Sequence, residues 1–176
     1  MIRIKQRDKE AFGELLKIYQ KTILNYTYSL IGSRDDSQDI VQEVFIKIWT
    51  KSNRFDLNKN FTPWIFKITT NLCKDYWRSN SKTAIRNDDY SREKSIEKEP
   101  SNSLAFQESE VLSIVNVLPD KQKLVYILRD LQELNIADIS SILNISKSSV
   151  KTNLFYARKK LHQHLIKINT DYHHEL

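Results

Sequence analysis

Two glycines and three prolines in 176 residues leave the chain almost without turn punctuation. Most of it should therefore be helix joined by short connections. Hydrophobic residues make up 40%, enough to pack cores, and the length suits one ordinary domain or two small ones. The expected fold class is all-α.

The spacing of apolar residues places the helices. Between Lys9 and Ile31, Phe12, Leu15, Leu16, Tyr19, Ile23 and Leu24 recur every three or four positions, which marks a helical hairpin or one long helix. Gly32 is a stop signal, and Ser33, Asp35 and Asp36 offer a cap and first-turn acids to a new helix, "DSQDIVQEVFIKIW". "SNRFDLNKNF" reads as a loop, and Thr62-Pro63 opens a helix running to about Trp77, with Thr62 as its cap. Residues 79–103 are almost wholly polar and read as an extended or disordered linker. Further helices are expected over Phe106–Val117, Lys121–Leu134, Ile136–Leu143 and from Lys147 to about Ile168. Two small helical domains joined by a flexible linker are thus expected. They span 1–78 and 106–170, with the linker at 79–105 and a tail at 171–176; the second should be a helix-turn-helix four-helix domain.

Within that second domain, Ile136, Ile139, Ile142 and Leu143 give a short helix one apolar stripe, and Ala137 is small enough for another helix to cross closely. Asn144 occupies the turn, where its tolerance of the left-handed conformation replaces the usual Gly. Ser146 caps the second helix, whose Val150, Leu154, Ala157 and Leu161 face inward. Its outward face carries Lys147, Ser148, Ser149, Lys151, Thr152 and Arg158, and no acid occurs from Ile145 to Lys167. Short hydroxyls early in a helix can approach base edges while Lys and Arg meet phosphates, so the pattern suits a recognition helix in a major groove. A solvated basic helix is the plainer reading of the same charges.

The first domain carries two more faces. Ile40, Val41, Val44, Phe45 and Ile48 form a buried stripe that leaves Asp39, Gln42, Glu43 and Lys47 outside, with Ile46 and Trp49 falling among the polar residues. Apolar groups there suit a protein-docking face, unless another helix covers them. In the next helix Lys67, Asn71, Lys74 and Arg78 line one side, opposite Ile65, Ile68 and Leu72. Trp77 and Phe66 border that stripe, and Phe55 and Phe61 come from the loop before it. Basic groups interleaved with aromatics suit a single nucleic-acid strand, although aromatics as core and lysines as solvated charge would give the same pattern.

"DSQDIVQEVFIKIW", "FTPWIFKITTNLCKDYWR" and "LPDKQKLVYILRDLQELNIADISSILNISKSSVKTNLFYARKKL" together resemble, in order and spacing, bacterial RNA polymerase sigma factors of the extracytoplasmic-function group. The resemblance implies a two-domain initiation factor that binds core polymerase and directs it to promoters. Asp39, Gln42, Glu43, Ile46 and Trp49 would then lie on the polymerase-binding helix. Phe55, Phe61, Lys67, Asn71, Lys74, Trp77 and Arg78 would meet the minus-ten element, and Ser146, Lys147, Ser148, Ser149, Lys151, Thr152 and Arg158 the minus-thirty-five element. The linker would thread toward the RNA exit path. An anti-sigma partner, membrane-bound, is also implied. The chain departs from the family at Thr69 and Thr70, where small Ala and a basic residue are common before the Asn, and at Asn144.

Charge agrees with a polyanionic partner: net +6, with basic stretches at 1–80 and 111–176 flanking an acidic 81–110. No apolar run approaches the roughly 18 residues of a membrane span, and the N-terminus lacks a signal-peptide core, so a cytosolic protein without stable membrane insertion is expected. The single cysteine, Cys73, forms no internal disulfide or multi-cysteine zinc site and reads as a small buried residue. No acid–histidine constellation, Gly-rich phosphate loop or metal-ligand spacing is present, and His162 and His164 point to different sides of a helix. The expectation is a non-enzyme with no cofactor. A free-standing regulator with the same helix-turn-helix is the alternative, and it would need a ligand pocket or phosphorylation site in the first half.

Overall fold

The structure, a computed structural model, describes the backbone of residues 1–86 and 112–174 and the side chains of residues 1–80 and 112–167. Among the described residues every regular element is helical. The chain divides into two units, Met1–Glu99 and Pro100–Leu176.

In the first unit a short helix α1 (Ile2–Lys5) buries Ile4 and turns through Arg7 at φ 65. Asp8 then caps α2 (Lys9–Ile31), accepting the Ala11 amide at 3.0 Å and the Arg3 Nε at 2.7 Å. Those bonds, the Ala11 amide first, hold the Asp8 carboxyl below the usual range. The 9–31 stretch is one helix, so the hairpin alternative drops out. Gly32 ends it at φ 78, a left-handed conformation that disfavours a Cβ, and its amide donates to the Tyr28 carbonyl. Ser33 caps α3 (Arg34–Lys51), whose Ile40, Val41, Val44, Phe45 and Ile48 are buried as their spacing predicts.

A 3₁₀ turn (Ser52–Arg54) and a loop lead to α4 (Phe61–Arg86). This helix already includes Phe61, and the Thr62 hydroxyl lies 3.1 Å from that of Tyr19, a tie to α2 where a cap was expected. At its other end α4 continues through residues 79–86, which polarity alone assigns to the linker. Extending a helix that already exists adds a hydrogen bond per residue without a new nucleation cost, so these residues need no apolar face to be helical. The rest of the expected linker, and most of the helix expected over 106–117, lie outside the described residues.

Helices α2, α3 and α4 pack on one another around Tyr26, which is fully buried. Thr70 donates to the Phe66 carbonyl at 2.7 Å, which leaves its oxygen to accept the Tyr26 hydroxyl, also at 2.7 Å. Thr69 likewise donates to the Ile65 carbonyl, and both threonines are 0% exposed. The departure at Thr69 and Thr70 is thereby explained. Thr70 serves an internal bond between α2 and α4, Thr69 bonds back within α4, and neither takes part in the exposed face of α4. Cys73 is buried beside them, and that burial pushes its thiol up to about 12.

In the second unit residues 112–115 are helical, and Leu118-Pro119 breaks the chain before α5 (Asp120–Tyr126). The expected Lys121–Leu134 helix does not persist. It widens into a π turn (Ile127–Leu131), closed by the Gln132 amide on the Ile127 carbonyl at 2.9 Å. Glu133, at φ 57, then reverses the chain, and Leu134 is buried while its carbonyl accepts Arg129 at 2.9 Å. Helix α6 (Ile136–Leu143) begins at Asn135, which accepts the Asp138 amide, and ends at Asn144 with φ 55 and ψ 49. Ile139 and Ile142 supply its buried side, whereas Ala137 is exposed and makes no close crossing. Helix α7 (Lys147–His174) starts from a Ser146 cap and buries Val150, Leu154, Ala157 and Leu161. It runs on to His174, through most of the expected tail. Among the described residues no helix is long and apolar enough to cross a membrane.

Candidate functional site

Three exposed faces collect the residues singled out by sequence. On α3, Asp39, Gln42 and Glu43 are exposed, Glu43 pairs with Lys47 at 2.8 Å, and Ile46 stands 61% exposed beside them. Trp49 does not join that face freely. The Phe12 ring lies 4.9 Å from it, the Arg7 guanidinium lies over it at 5.4 Å, and Arg7 also donates to the Trp49 carbonyl at 2.6 Å. Phe12 of α2 and Arg7 of the turn before it thus cover the indole, and Arg7 brings a cation to the C-terminal end of α3, where the helix dipole favours one. Covering holds for Trp49 and fails for Ile46.

On α4, Lys67, Asn71 and Arg78 are exposed and Lys74 is half-buried, all on the side away from Ile65, Leu72 and Cys73. Desolvation, then the neighbouring Arg78 charge, lowers the Lys74 pKa. Arg78 pairs with Asp75 at 2.8 Å, so its charge is partly answered within the helix. Phe55 corrects an expectation: at 4% exposure it lies inside a cluster with Phe61 at 5.8 Å and Trp64 at 5.0 Å. It supports the loop and has no ring face to offer a base. Phe66 is buried too, against Tyr26 at 5.0 Å, which leaves the half-buried Phe61, Trp64 and Trp77 as the aromatic borders.

On α7, Lys147, Ser148, Lys151 and Thr152 are exposed along one contiguous face. The other three predicted residues are engaged locally. Ser146 caps the helix, half-buried Ser149 accepts Asn153 on both its carbonyl and its hydroxyl, and Arg158 holds Asp130 through two bonds of 2.9 and 2.6 Å. Sequence reasoning missed Phe155 and Tyr156, 62% and 52% exposed, their rings edge-on at 5.5 Å. Phe155 sits one turn beyond Thr152 and two beyond Ser148, so helical spacing could have found it. No sequence signal joins Asp130 to Arg158, or Arg7 to Trp49.

The family model of Sigma-70 region 2 matches residues 15–83, and that of Sigma-70, region 4 matches residues 108–161. The chain belongs to the sigma-70 family. Its relatives place it in the extracytoplasmic-function (ECF) group. ECF RNA polymerase sigma factor SigW of Bacillus subtilis is 28% identical, the match covering 93% of both chains. SigM of the same bacterium is 27% identical over 86% of this chain and 93% of its own. The ECF sigma-E factor of Escherichia coli is 25% identical over 90% and 88%. Among solved structures, CnrH in complex with the cytosolic domain of CnrY has a TM-score of 0.75, 20% identity and 94% coverage of both chains. RpoE of Bartonella quintana, in complex with the anti-sigma factor NepR, also scores 0.75, with 23% identity and coverage of 90% and 98%. These two likenesses establish the shared sigma-factor fold.

Proposed function

We propose that this sigma factor binds core RNA polymerase through the outer face of α3, reads the minus-thirty-five element with α7 and captures the melted minus-ten strand along α4. It acts in the cytoplasm as a promoter-specificity subunit with no catalytic chemistry or cofactor of its own. The observation that carries the reading is the pairing in one chain of region 2, residues 15–83, with region 4, residues 108–161. A free-standing regulator has no use for region 2, so that alternative is not favoured.

Each face has a physical role. Ile46 supplies the apolar centre and Asp39, Gln42 and Glu43 the polar rim of a protein interface. Lys67, Asn71 and Lys74 track a strand whose bases stack on the half-buried rings of Phe61 and Trp77. On α7, Ser148 and Thr152 approach base edges, Lys147 and Lys151 meet phosphates, and Phe155 offers an apolar contact of the kind a thymine methyl takes. Two weak modules on one chain gain affinity from linkage once core polymerase holds both. An anti-sigma partner, membrane-bound, would control the factor by occupying these faces; the complex of RpoE with an anti-sigma factor supports the existence of such a partner.

The α3 assignment predicts a clean separation. Ile46→Glu should weaken competition for core polymerase against another sigma factor by about tenfold or more, the usual scale of an apolar interface centre. Its thermal unfolding should be unchanged because Ile46 is 61% exposed. Undiminished competition would remove α3 from the polymerase interface.

A further inference from the structure

Arg158 follows the fully buried Ala157 on α7 and lies beyond the exposed Lys147–Thr152 face. Its Nε donates to Asp130 Oδ2 at 2.9 Å and an NH2 nitrogen to Oδ1 at 2.6 Å, a two-point fork. The acid is the less accessible partner, 21% exposed against 57% for the arginine side chain. Asp130 belongs to the π turn, where the extra residue of the widened turn displaces the next residues relative to an α-helix. Tyr126 lies near both charges and packs against the cluster of Leu118, Ala157 and Leu161. One end of the fork is therefore on the helix that carries the reading face, and the other on the element that supports it.

A planar fork specifies orientation as well as distance, which a single point charge does not. We propose that Arg158 is a positioning residue that, with Asp130, sets the rotation of α7 about its axis and so decides which of Lys147, Ser148, Lys151 and Thr152 reach base edges. This rests on α7 being the minus-thirty-five reader. It differs from the role that position on the basic face suggests, a direct phosphate contact, because the guanidinium is already committed to a carboxylate.

The two roles separate in holoenzyme assembled with bacterial core polymerase. The probe is a duplex that the wild-type holoenzyme selects from a pool with a randomised upstream element, compared with a scrambled duplex. Arg158→Ala and Asp130→Ala should each lower the selected-to-scrambled affinity ratio by about tenfold, and the double variant no further, since paired residues are not additive. Arg158→Lys, which keeps the charge but not the fork, should show the same loss of ratio. Salt slopes should stay at the wild-type value throughout, whereas a lost phosphate contact lowers the slope by about one. A purely structural defect would shift thermal melting without changing the ratio well below the melting range. The proposal is overturned if Asp130→Ala or Arg158→Lys keeps the ratio, or if Arg158→Ala lowers the slope. A wild-type holoenzyme that selects no duplex would instead sink the reading of α7 as the minus-thirty-five reader.

Discussion

Val150→Asp is expected to make the duplex-reading unit melt early, and duplex recognition with it, while leaving the outer face of α3 in place. Val150 is 0% exposed on the inner side of α7, the side that also buries Leu154, Ala157 and Leu161. A carboxylate left unpaired in such a site costs about 3–5 kcal/mol, against a stability of about 5 kcal/mol for a small unit. At the upper end of that cost the second unit would be about half unfolded at 25 °C, and at the lower end it would keep about 2 kcal/mol of stability. Circular dichroism of the full chain should show an early transition and then one at the wild-type temperature, and duplex binding by the holoenzyme should be lost across the early transition. Competition for core should change little, because Ile46 and its neighbours belong to the other unit. A variant that melts as wild type and still binds duplex would contradict the placement of Val150 in the core.

Strand capture should suffer comparably when its cations are removed. Lys67 and Lys74 occupy one face of α4 with Asn71, on the side away from the buried Ile65, Leu72 and Cys73. Removing both as Lys67→Ala, Lys74→Ala takes two cations from the melted strand, and each phosphate contact on a single strand contributes about 0.7 to the slope of log affinity against log salt. The expected result is initiation reduced about tenfold or more at physiological salt, a slope shallower by about 1.4, and unchanged competition for core. Lys67 is exposed and Lys74 half-buried, so melting should move little. Initiation at the wild-type rate would mean that the stripe is only solvated charge.

The residues that spoke clearly in the sequence are those governed by local rules. Gly32, Ser33, Asn144 and Ser146 mark helix ends by backbone preference and capping chemistry, which act within a few positions, and each lies at a helix end. The apolar stripes of α3 and α7 were equally legible. Features that depend on distant partners were not. Trp49 is covered by Arg7 and Phe12, and Phe55 is enclosed by Phe61 and Trp64 across a loop. Arg158 meets Asp130 through a π turn that apolar spacing cannot distinguish from an α-helix. Thr69 and Thr70 show the same dependence in reverse: residues that disturbed the match to the family's strand-contacting helix turn out to face the core.

As a sigma factor, this chain gives a catalytic polymerase its promoter choice. The decisive assay is run-off transcription with sigma-free bacterial core polymerase from a compatible species, a pool of promoter-like duplexes and the purified chain. Initiation at defined start sites that appears only when the chain is added is the predicted result, and the upstream sequences of those sites should share two spaced elements. Duplex binding without association with core, and no chain-dependent start sites, would refute that role.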